Sequence, residues 1–566
     1  MAGVKGKERR RVWIDSQTEE EILRGIREAK DLSEYDNLSA SAYLRAKEDY
    51  LMGINFSRLL TLKYGNSISN YLGNKYTVVS VGRVMTCVLG MVVRREREIR
   101  EFVKTPFYRV IESVNVDGHT FTGEWRAVKG SAYFESPKLY KENGFKEKEE
   151  AKKLIAVLKE GTSPLTCRIV SIEKKKEKKN PPLLFNLAEL QNECSKRFKI
   201  SPDETLRIVQ ELYEKKLVTY PRTDARVLST AVSKEITKNL NGLSKYQMAA
   251  PYMQDILHYG AYKNLAKTRY VNDKQITDHY AIIPTGQGMG NLRGLSPLSE
   301  KVYQVVCRRF LSIFYPAAIY QKYSLVLERK KEQFFASFKV LSEPGYLKVA
   351  DVNLAKKSSI QETFSDEKEG NSAQTDEKNA EIPKVDRTLL LQVLADLKKN
   401  DILTIADLKV KEGETSPPKR YTSGSMILAM ENAGQLIEDE ELRAQIKGSG
   451  IGTSATRAEI LKKLVSIKYL SLNQKTQVIT PSLLGEMVYE VVDHSIRQLL
   501  NPELTASWEK GLTYVAEGSI TSDEYMEKLE RFVAMRTVNV TRLNNQYDMR
   551  GLFDAAAAFY KTKKEN

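Results

Sequence analysis

A tyrosine followed at once by proline and arginine is the part of this sequence best suited to chemistry. Residues 217–224 read Leu-Val-Thr-Tyr-Pro-Arg-Thr-Asp, with Tyr220 two residues ahead of Arg222. A phenol is a weak nucleophile at neutral pH because its ordinary pKa is about 10, so a tyrosine nucleophile needs a nearby cation. A guanidinium can favour the phenolate and hold a phosphate in its rigid fork. The segment therefore suits phosphoryl transfer onto Tyr220, and a tyrosine that closes a buried strand is the alternative.

A histidine in a polar, proline-bounded turn is the second candidate for chemistry. His279 is one of only four histidines, and residues 276–285 around it read Ile-Thr-Asp-His-Tyr-Ala-Ile-Ile-Pro-Thr. An imidazole there could contact a phosphate or relay a proton near neutral pH. A histidine that only stabilises the turn is the alternative.

Two glycine-containing segments place an arginine where a helix is expected to begin. Residues 80–86 read Ser-Val-Gly-Arg-Val-Met-Thr, with Gly82 beside Arg83, and residues 450–457 read Gly-Ile-Gly-Thr-Ser-Ala-Thr-Arg, ending at Arg457. Glycine permits close backbone approach, and the start of a helix attracts anions. Either segment could seat a phosphate, and either fits an ordinary N-capped helix equally well.

Helical periodicity dominates the segments that must position these side chains. Thr18 precedes three glutamates and a helical run through 64, which predicts an N-capped helical segment. Further helices are predicted over 84–102 and over 187–216, the latter ending just before Tyr220. Helices are again expected in the last third of the chain.

Strand-like and polar segments separate the helical ones. Alternating patterns over 107–170 and 320–352 predict strands, the first interrupted by a charged helix at 147–159. The lysine-rich segment 174–182 is interpreted as a linker. The polar, charged, low-complexity segment 355–384 is predicted to be a disordered insert. The order of helix, strand, helix with tyrosine, strand and helix predicts nested domains whose outer pieces pair across the inserted ones.

Composition favours a nucleic-acid partner. At 566 residues the chain is too long for one core, so three or more domains are expected. Its formal net charge is +16, and 29 tyrosines are available to stack on bases. A basic protein without a polyanionic partner is the alternative.

Several classes of protein are disfavoured by what the sequence lacks. The four cysteines form no C-x-x-C pair, which argues against a zinc ribbon and a disulfide framework and fits a reducing cytoplasm. No signal-peptide core or membrane-length apolar run occurs, so a soluble cytoplasmic protein is expected. No G-x-x-x-x-G-K-[ST] segment occurs either, so a P-loop ATPase is disfavoured.

Taken together, in one order along about 500 residues, these motifs resemble the bacterial type IA DNA topoisomerases, most closely the topoisomerase III branch. The matching segments are residues 11–16, 36–40, 45–49, 81–86, 95–99, 181–185, 187–191, 220–224, 279–285, 418–422, 450–457 and 502–508. The resemblance implies a multidomain α+β fold: a toroidal core with winged-helix-type domains, a β-rich arch and helical DNA-gripping segments.

The resemblance also implies a mechanism. Tyr220 would attack a phosphodiester of single-stranded DNA, leaving a 5′-phosphotyrosine and a free 3′-hydroxyl, and the hydroxyl would reseal the break after strand passage. No ATP is needed because the ester keeps the bond energy. Arg222 would hold the scissile phosphate and His279 would assist as the third catalytic residue. Residues implied to contact DNA are Arg45, Asp49, Gly82, Arg83, Gln191, Thr223, Asp224 and Arg457.

One part of the family pattern is not matched. The family begins with a Toprim domain that carries an acidic general acid and a D-x-D pair for Mg²⁺, and the match starts only at its trailing edge. No D-x-D triplet occurs, and the nearest acidic cluster, 438–441, fits a solvated helix face. Mg²⁺ is expected for the family, but its ligands are expected to lie outside this chain, and no metal site is assigned. A gene model that starts late, a true fragment, and a Toprim domain supplied by another chain are the three explanations.

The resulting hypothesis is an ATP-independent DNA topoisomerase of type IA, an isomerase acting on single-stranded DNA. Candidate partners are a helicase and a Toprim domain in trans, with no membrane, in the cytoplasm at the nucleoid. A non-catalytic single-stranded DNA clamp and a tyrosine recombinase are the rivals. The expected segments are 1–30 (Toprim edge), 31–105 (helical, first part), 106–182 (arch, first part), 183–315 (winged-helix-type tyrosine domain), 316–354 (arch, second part), 355–384 (insert), 385–535 (helical, second part) and 536–566 (tail).

Overall fold

The chain divides into two compact units. Unit 1 comprises Met1–Arg97, Leu183–Phe310 and Arg420–Asn566, and unit 2 comprises Glu98–Pro182 and Leu311–Lys419. The computed structural model describes residues 6–14, 16, 18–161, 163–276, 278–350, 361–362, 393–446 and 450–560. The predicted disordered insert at 355–384 lies outside the described residues, apart from the backbone of 361–362.

Unit 1 is mainly helical. Most of its helices begin where the sequence offers a cap: the Thr18 side chain accepts from the Glu21 amide, as predicted, and Ser201 accepts from Glu204 ahead of a proline at the first helical position. The helices are α1 (Glu19–Arg27), α2 (Asp36–Leu72), α3 (Arg83–Glu101), α5 (Leu187–Phe198), α6 (Pro202–Glu214), α7 (Thr230–Leu243), α8 (Ala250–Tyr259), α9 (Pro297–Ser312), α11 (Ser423–Glu431), α12 (Glu440–Gln445), α13 (Arg457–Ser466), α14 (Leu483–Asp493), α15 (Pro502–Ala516), α16 (Ser522–Arg542) and α17 (Met549–Ala557). The last residues of α3 and α9 belong to unit 2.

The core of unit 1 forms around the long helix α2. Met52, Phe56, Leu60 and Tyr64 recur every four residues along it and are fully buried, which is the spacing of one helix face. They pack in one cluster with apolar residues of α3, α11, α14, α15 and α16. Two small sheets complete the unit: β1 (Arg10–Arg11) with β2 (Lys30–Asp31), and β12 (Leu470–Leu472) with β13 (Ile479–Pro481).

Unit 2 is a closed antiparallel barrel. Six strands pair in the order β9 (Glu332–Glu343), β8 (Ala318–Arg329), β7 (Thr166–Lys179), β11 (Ile402–Glu414), β3 (Pro106–Val116) and β4 (His119–Arg126). Strand β4 pairs back onto β9, which closes a ring of six. Helix α4 (Lys148–Lys159) packs on it and α10 (Leu347–Ala350) follows β9. The other described strands of unit 2 are β5 (Leu139–Lys141), β6 (Gly144–Phe145) and β10 (Gln361–Glu362).

The barrel interior is filled with side chains. Phe121, Trp125, Phe334 and Phe338 alternate with outward-facing residues along β4 and β9 and are buried together. Such alternation leaves the opposite set of side chains on the outer surface of the barrel. The mixture of helices and strands confirms the predicted α+β class.

Two expectations about segments are wrong. The lysine-rich segment predicted as a linker continues strand β7 to Lys179, because its backbone pairs with β8 down to Ala318. The assignment of 385–535 to the second helical part fails at β11, which pairs with β3 and β7 in unit 2. In both cases a partner strand distant in sequence supplies hydrogen bonds that local charge or context does not reveal.

Two further predicted segments are the C-terminal tail and the winged-helix-type domain. The tail 536–566 contains the end of α16 and all of α17, which the sequence pattern did not indicate. The segment expected as a winged-helix-type domain, 183–315, holds α5 to α9 and isolated β-bridges, and its assignment stays a prediction. None of the helices described in the chain is long and apolar enough to cross a bilayer.

Candidate nucleophile site

Backbone contacts fix the residue before Tyr220. The Thr219 amide donates to the Ile283 carbonyl at 3.0 Å, and the Ile283 amide donates to the Thr219 hydroxyl at 2.9 Å. The same hydroxyl lies 3.1 Å from the Ala281 carbonyl, to which it can donate. Tyr220 is thereby held against the segment that follows His279, which is how two motifs about 60 residues apart come to share one site.

The rings of Tyr220 and His279 are in direct contact. Their centroids are 4.4 Å apart and the ring planes are tilted by 51°. On another side, Tyr213 of helix α6 packs edge-on against Tyr220 at 5.4 Å. Tyr220 is half-buried, and its phenol oxygen forms no hydrogen bond within the part of the chain that the structure describes. Two rings thus orient a phenol whose oxygen is left for another partner.

The imidazole of His279 favours its neutral form near neutral pH. Its side chain is exposed at one edge, but partial burial lowers its pKa below the ordinary value of 6.5, against the opposing charge of Asp278. The backbone of His279 is anchored by the Thr223 hydroxyl, which donates to its carbonyl at 2.8 Å. A neutral imidazole can accept a proton or donate one N–H.

Arg222 points into solvent beside this pair. Its side chain is exposed, and it forms no ion pair or hydrogen bond with any described residue. The Thr223 amide donates to the Pro221 carbonyl at 3.0 Å, which turns the backbone tightly around Arg222. An exposed guanidinium without an internal carboxylate partner is free to engage a phosphate.

An ion pair joins the tyrosine loop, residues 220–224, to the start of helix α13. Arg457, the first residue of α13, is 1% exposed, and its Nη1 lies 3.0 Å from Asp224 Oδ1. Its Nε donates to the Ile451 carbonyl at 3.4 Å, which fixes the direction of the side chain. Arg457 therefore acts on the loop through Asp224 in this structure.

The Asn186 amide and the partly buried Glu431 carboxylate form a second contact beside this ion pair. Asn186 Nδ2 donates to Glu431 Oε1 at 2.5 Å and to the Asp224 carbonyl at 3.2 Å. Asn186 Oδ1 accepts from the Glu189 amide and caps helix α5. Burial raises the pKa of Glu431, and the nearby charge of Arg457 opposes that rise. One asparagine thus joins α5, α11 and the tyrosine loop.

Sequence reasoning missed Asn186 and Glu431. Asn186 carried a local signal, since an asparagine three residues ahead of Glu189 marks a helix start. Glu431 carried none, because 245 residues separate it from its partner Asn186. The glycine at position 450 was a usable sequence signal for this contact. Its φ is +66°, and a Cβ there would collide with the Glu431 carbonyl. Only glycine therefore lets the loop before Arg457 pass so close to Glu431.

The arginine predicted at the start of α3 lies in a separate, buried charge cluster. Arg83 Nε is 3.0 Å from Glu48 Oε1 and 3.1 Å from Asp49 Oδ1, and its Nη1 is 2.9 Å from Glu509 Oε1. Burial alone would lower the pKa of Arg83, but these three carboxylates outweigh it and raise that pKa. Arg83 is already saturated with partners from α2 and α15.

Glu48 is a fully buried carboxylic acid of this cluster. Burial raises its pKa to about 7, with the charge of Arg83 acting in the opposite direction. The Tyr525 hydroxyl donates to Glu48 Oε2 at 2.8 Å. The cluster therefore joins α2, α3, α15 and α16, and Glu48 can exchange a proton near neutral pH.

The other predicted DNA contacts in this region differ in accessibility. Arg45 pairs with Glu509 and stays half-exposed, and more than half of the Asp49 side chain is exposed. Gly82 has no left-handed backbone, and a Cβ there would make only ordinary contact with Met85, so its local geometry does not require a glycine. Arg45 and Asp49 are the side chains in the cluster that a DNA strand could reach.

Gln191 is placed in the protein interior. It is 1% exposed, and its Nε2 donates to the Pro202 carbonyl at 3.0 Å. This bond holds the start of α6 against α5. The structure thus gathers Tyr220, Arg222, Thr223, Asp224, His279 and Arg457 into one site, places Arg45, Asp49, Gly82 and Arg83 in a second cluster, and leaves Gln191 as a structural contact.

No metal-binding group is formed by the residues that the structure describes. Within them, no three His, Cys, Asp or Glu side chains converge in a way that could hold an ion. The acidic cluster at 438–441 instead caps and flanks the short helix α12: Asp439 accepts from the Leu442 amide, and Glu441 pairs with Lys510. These donors do not fit Mg²⁺, so no chemical step is assigned to a metal here.

Comparison with known proteins assigns a family to most of the chain. A family model described as DNA topoisomerase matches residues 33–527. The DNA topoisomerase 3 proteins of Bacillus licheniformis and Bacillus subtilis (strain 168) are each 30% identical over 541 residues, which covers 95% of this chain and 65% of each relative. That of Bacillus anthracis is 28% identical and covers 92% and 63%. The chain thus spans less than two thirds of the length of these curated relatives.

A solved structure shares the fold. Full-length topoisomerase I from Thermotoga maritima superposes with a TM-score of 0.58 and 21% sequence identity, over 93% of this chain and 73% of that one. At this identity the likeness concerns the fold alone.

Proposed function

The chain belongs to the type IA DNA topoisomerase family, and from that premise we propose that it cleaves and rejoins single-stranded DNA through Tyr220, without ATP. The observation that carries the proposal is the contact between the Tyr220 and His279 rings beside the exposed Arg222. A nucleophile, a neutral imidazole and a free guanidinium on one surface are the groups that phosphoryl transfer to a phenol requires.

In the proposed reaction, Tyr220 Oη forms a bond to phosphorus and the bond from phosphorus to the 3′ oxygen breaks. The phenol loses its proton and the leaving oxygen gains one, so charge balances over the step. Neutral His279 is the nearest base for the phenol proton, or a donor to a phosphate oxygen. Arg222 binds the non-bridging oxygens, where charge develops in the transition state. Religation is the reverse attack by the 3′-hydroxyl.

The ties around Asp224 position this machinery. Arg457 and Asn186 hold the loop that follows Tyr220, from the side chain and the backbone of Asp224 respectively. We assign both as positioning residues, and we assign Arg45 and Asp49 as the accessible residues of the DNA-guiding cluster. Effective catalysis depends on such fixed geometry, since small displacements of a reacting group lower the rate steeply.

We further propose that an acidic, Mg²⁺-binding Toprim domain completes the site, supplied in trans or by another segment. Support comes from an apolar surface on unit 1: Trp13, Leu23 and Ile26 are 44%, 50% and 59% exposed on α1 and beside β1. Exposed apolar patches of this kind usually mark contact sites. A helicase that exposes single strands at the nucleoid would be the natural supplier of substrate.

Covalent trapping tests the proposal directly. End-labelled single-stranded DNA is incubated with the full chain, with and without Mg²⁺ and a purified Toprim domain from a relative, and stopped in denaturant. We expect a covalent adduct that disappears in Tyr220→Phe and persists in Tyr213→Phe, the matched control whose ring packs on Tyr220. Adduct in Tyr220→Phe would overturn the assignment of the nucleophile.

One other outcome of the trapping experiment would favour a non-catalytic single-stranded DNA clamp. If single-stranded DNA binds tightly and no adduct forms under any of these conditions, the chain acts as a clamp. The exposed Arg222 and Arg45 would then serve binding alone.

A further inference from the structure

Three lysines lie directly opposite one another across three strands of the barrel in unit 2. Lys175 on β7 pairs with Lys322 on β8, and Lys322 pairs with Lys339 on β9. Adjacent strands are about 4.8 Å apart, so this lysine row places like charges side by side, which destabilises a sheet. The row lies on the outer face of the barrel, because the next cross-strand pair, Tyr323 with Phe338, points into the core.

The carboxylates near the lysine row do not neutralise its centre. Glu173 is 2.5 Å from Lys175, and Glu177 is 2.6 Å from Lys339. Lys322, between them, forms no ion pair or hydrogen bond with any residue the structure describes. A solvated surface normally alternates charges of opposite sign across strands. The unpaired central lysine is therefore a place where the fold tolerates repulsion.

Aromatic rings flank the lysine row on the same face. Tyr320 lies two residues before Lys322 on β8, and Lys339 lies over its ring at 4.9 Å. Phe335 lies four residues before Lys339 on β9, with Arg126 over its ring at 5.2 Å. Both side chains are partly exposed. Alternating positions on a strand share a face, so rings and lysines form one continuous surface.

We propose that this outer barrel face binds a second segment of single-stranded DNA, with phosphates on the lysine row and bases on Tyr320 and Phe335. A positively charged sheet that carries partly exposed aromatic side chains suits a single strand, because phosphates and unstacked bases are met together. The phosphates would also relieve the repulsion around Lys322. The proposal rests on the proposed function in taking the partner to be DNA, but the surface belongs to unit 2, whereas Tyr220 belongs to unit 1.

The continuation of β7 extends the basic surface. Lys179 follows Lys175 at an even spacing on the same face of the strand and is exposed, whereas the exposed Lys176 and Lys178 face the other way. Lys174 donates to the carbonyls of Ala395 and Leu397 and has a structural role. The paired strand, rather than a loose linker, fixes the spacing of these charges. A fixed basic ribbon can follow a phosphate backbone over several nucleotides.

The test is DNA binding measured in the Tyr220→Phe chain, where covalent chemistry plays no part. Fluorescence anisotropy of a labelled oligo-dT of about 30 nucleotides, over a series of salt concentrations, compares Lys322→Gln, Lys322→Arg and the triple change Lys175→Gln, Lys322→Gln, Lys339→Gln. We expect roughly 3- to 10-fold weaker binding in Lys322→Gln, a larger loss in the triple variant and recovery in Lys322→Arg. The salt slope should fall by about 0.7 for each phosphate that a variant no longer binds.

Two controls make the outcome decisive. Lys152→Gln removes the same charge from an exposed position on α4 of unit 2; an equal loss there would reduce the effect to net charge and overturn the proposal. A duplex probe that loses as much affinity as oligo-dT would overturn the choice of a single strand. Lys322→Gln should unfold at the same or a higher temperature than the parent, since it removes repulsion; unchanged oligo-dT binding in that folded variant would refute the surface.

The result of the binding experiment can be interpreted independently of the covalent-trapping experiment that tests the proposed function. Anisotropy in the Tyr220→Phe chain reads binding alone, so absence of a covalent adduct in the parent chain leaves the result intact. Conversely, an adduct at Tyr220 together with oligo-dT binding unaffected by the triple change would retain the topoisomerase proposal and remove the barrel surface from it.

Discussion

The guanidinium of Arg457 lies 3.0 Å from Asp224 although 233 residues separate them in sequence. Asp224 is four residues after Tyr220, so the first residue of α13 reaches the loop that carries the proposed nucleophile. Arg457 is buried, whereas about a third of the Asp224 side chain is exposed. The pair therefore couples the loop to the helical part of unit 1 with one partner that water can still approach.

Replacing Arg457 by methionine is expected to loosen this loop. The change leaves Asp224 without its partner, and because Asp224 is partly exposed we expect a loss on the order of 2 kcal/mol in the free energy of unfolding. Adduct formation at Tyr220 should fall more than stability alone explains. Urea unfolding and covalent trapping measure the two effects. Asp224→Asn, which keeps an oxygen acceptor, is the milder control; equal adduct yields in Arg457→Met and the parent would contradict the positioning role.

Replacing Arg222 is expected to lower the rate of adduct formation without lowering the free energy of unfolding. The side chain is exposed and forms no ion pair or hydrogen bond with any described residue, so Arg222→Gln should leave the unfolding free energy within about 0.5 kcal/mol. Adduct formation should nevertheless drop roughly 10²- to 10³-fold, the usual effect of losing one group that stabilises charge in the transition state. Rapid-quench trapping gives the rate.

Arg222→Lys and a change at another exposed arginine, Arg207, serve as comparisons for Arg222→Gln. Arg222→Lys should recover part of the rate, because a point charge replaces a two-pronged donor. Arg207→Gln, an exposed position on α6, should have no effect. A full rate in Arg222→Gln would remove Arg222 from the reaction.

His279 should make the rate of adduct formation fall at low pH, which gives the pH–rate profile an acid limb. Partial burial lowers the pKa of His279 below 6.5, so its imidazole is neutral at about pH 7 and above. A depressed histidine pKa stabilises the fold above the unfolded-state pKa, and that contribution is lost as pH falls through the folded-state pKa. We expect the adduct rate to be flat above about pH 7 and to fall below the lowered pKa, when the imidazole can no longer accept a proton.

Two histidine variants test that assignment. His279→Gln should abolish the acid limb and lower the plateau rate by about 10²-fold, the usual contribution of a proton-transfer group. His258→Gln, at an exposed position on α8, should keep the pH profile. An acid limb that survives in His279→Gln would assign the titration to another group.

Local chemistry in the sequence was enough to propose Tyr220 and His279 as candidate site residues. The Tyr-Pro-Arg and Asp-His-Tyr segments each contain their reactive residues within a few positions, and the fold places Tyr220 and His279 in ring contact. The resemblance to type IA topoisomerases of the topoisomerase III branch is confirmed by the family match and the Bacillus relatives. Thr18 likewise caps its helix as its spacing indicated.

What the sequence could not show depends on partners far along the chain. Glu431 reaches the site only because α11 packs on α5, and the lysine-rich run forms a strand only because β8 pairs with it. Arg83 was expected to seat a phosphate from its place at a helix start, but three carboxylates from α2 and α15 surround it. Charge runs and lone glutamates have no period that reveals such pairing.

Glu112 makes the stability of the barrel depend on pH. It is fully buried on β3 between Gly123 and Leu408, and neither carboxyl oxygen has a hydrogen-bond partner in the described residues. Burial raises its pKa well above 4.5, with Arg329 opposing. A raised pKa means that the stability tied to the protonated form is fully present below the unfolded-state pKa of about 4.5 and is lost as pH rises through the folded-state pKa.

Replacing Glu112 by methionine should therefore stabilise the protein most at high pH. The unbranched side chain has a similar volume and removes an unsatisfied buried polar group, which is worth about 1–3 kcal/mol. Calorimetry at about pH 5 and about pH 8 should show a rise in the unfolding temperature of unit 2 that is larger at the higher pH, whereas Glu142→Met, at an exposed position on the same unit, should show no such difference. A lower unfolding temperature in Glu112→Met at the higher pH would mean that the buried carboxyl stabilises the barrel through an interaction that outweighs the loss of its hydration.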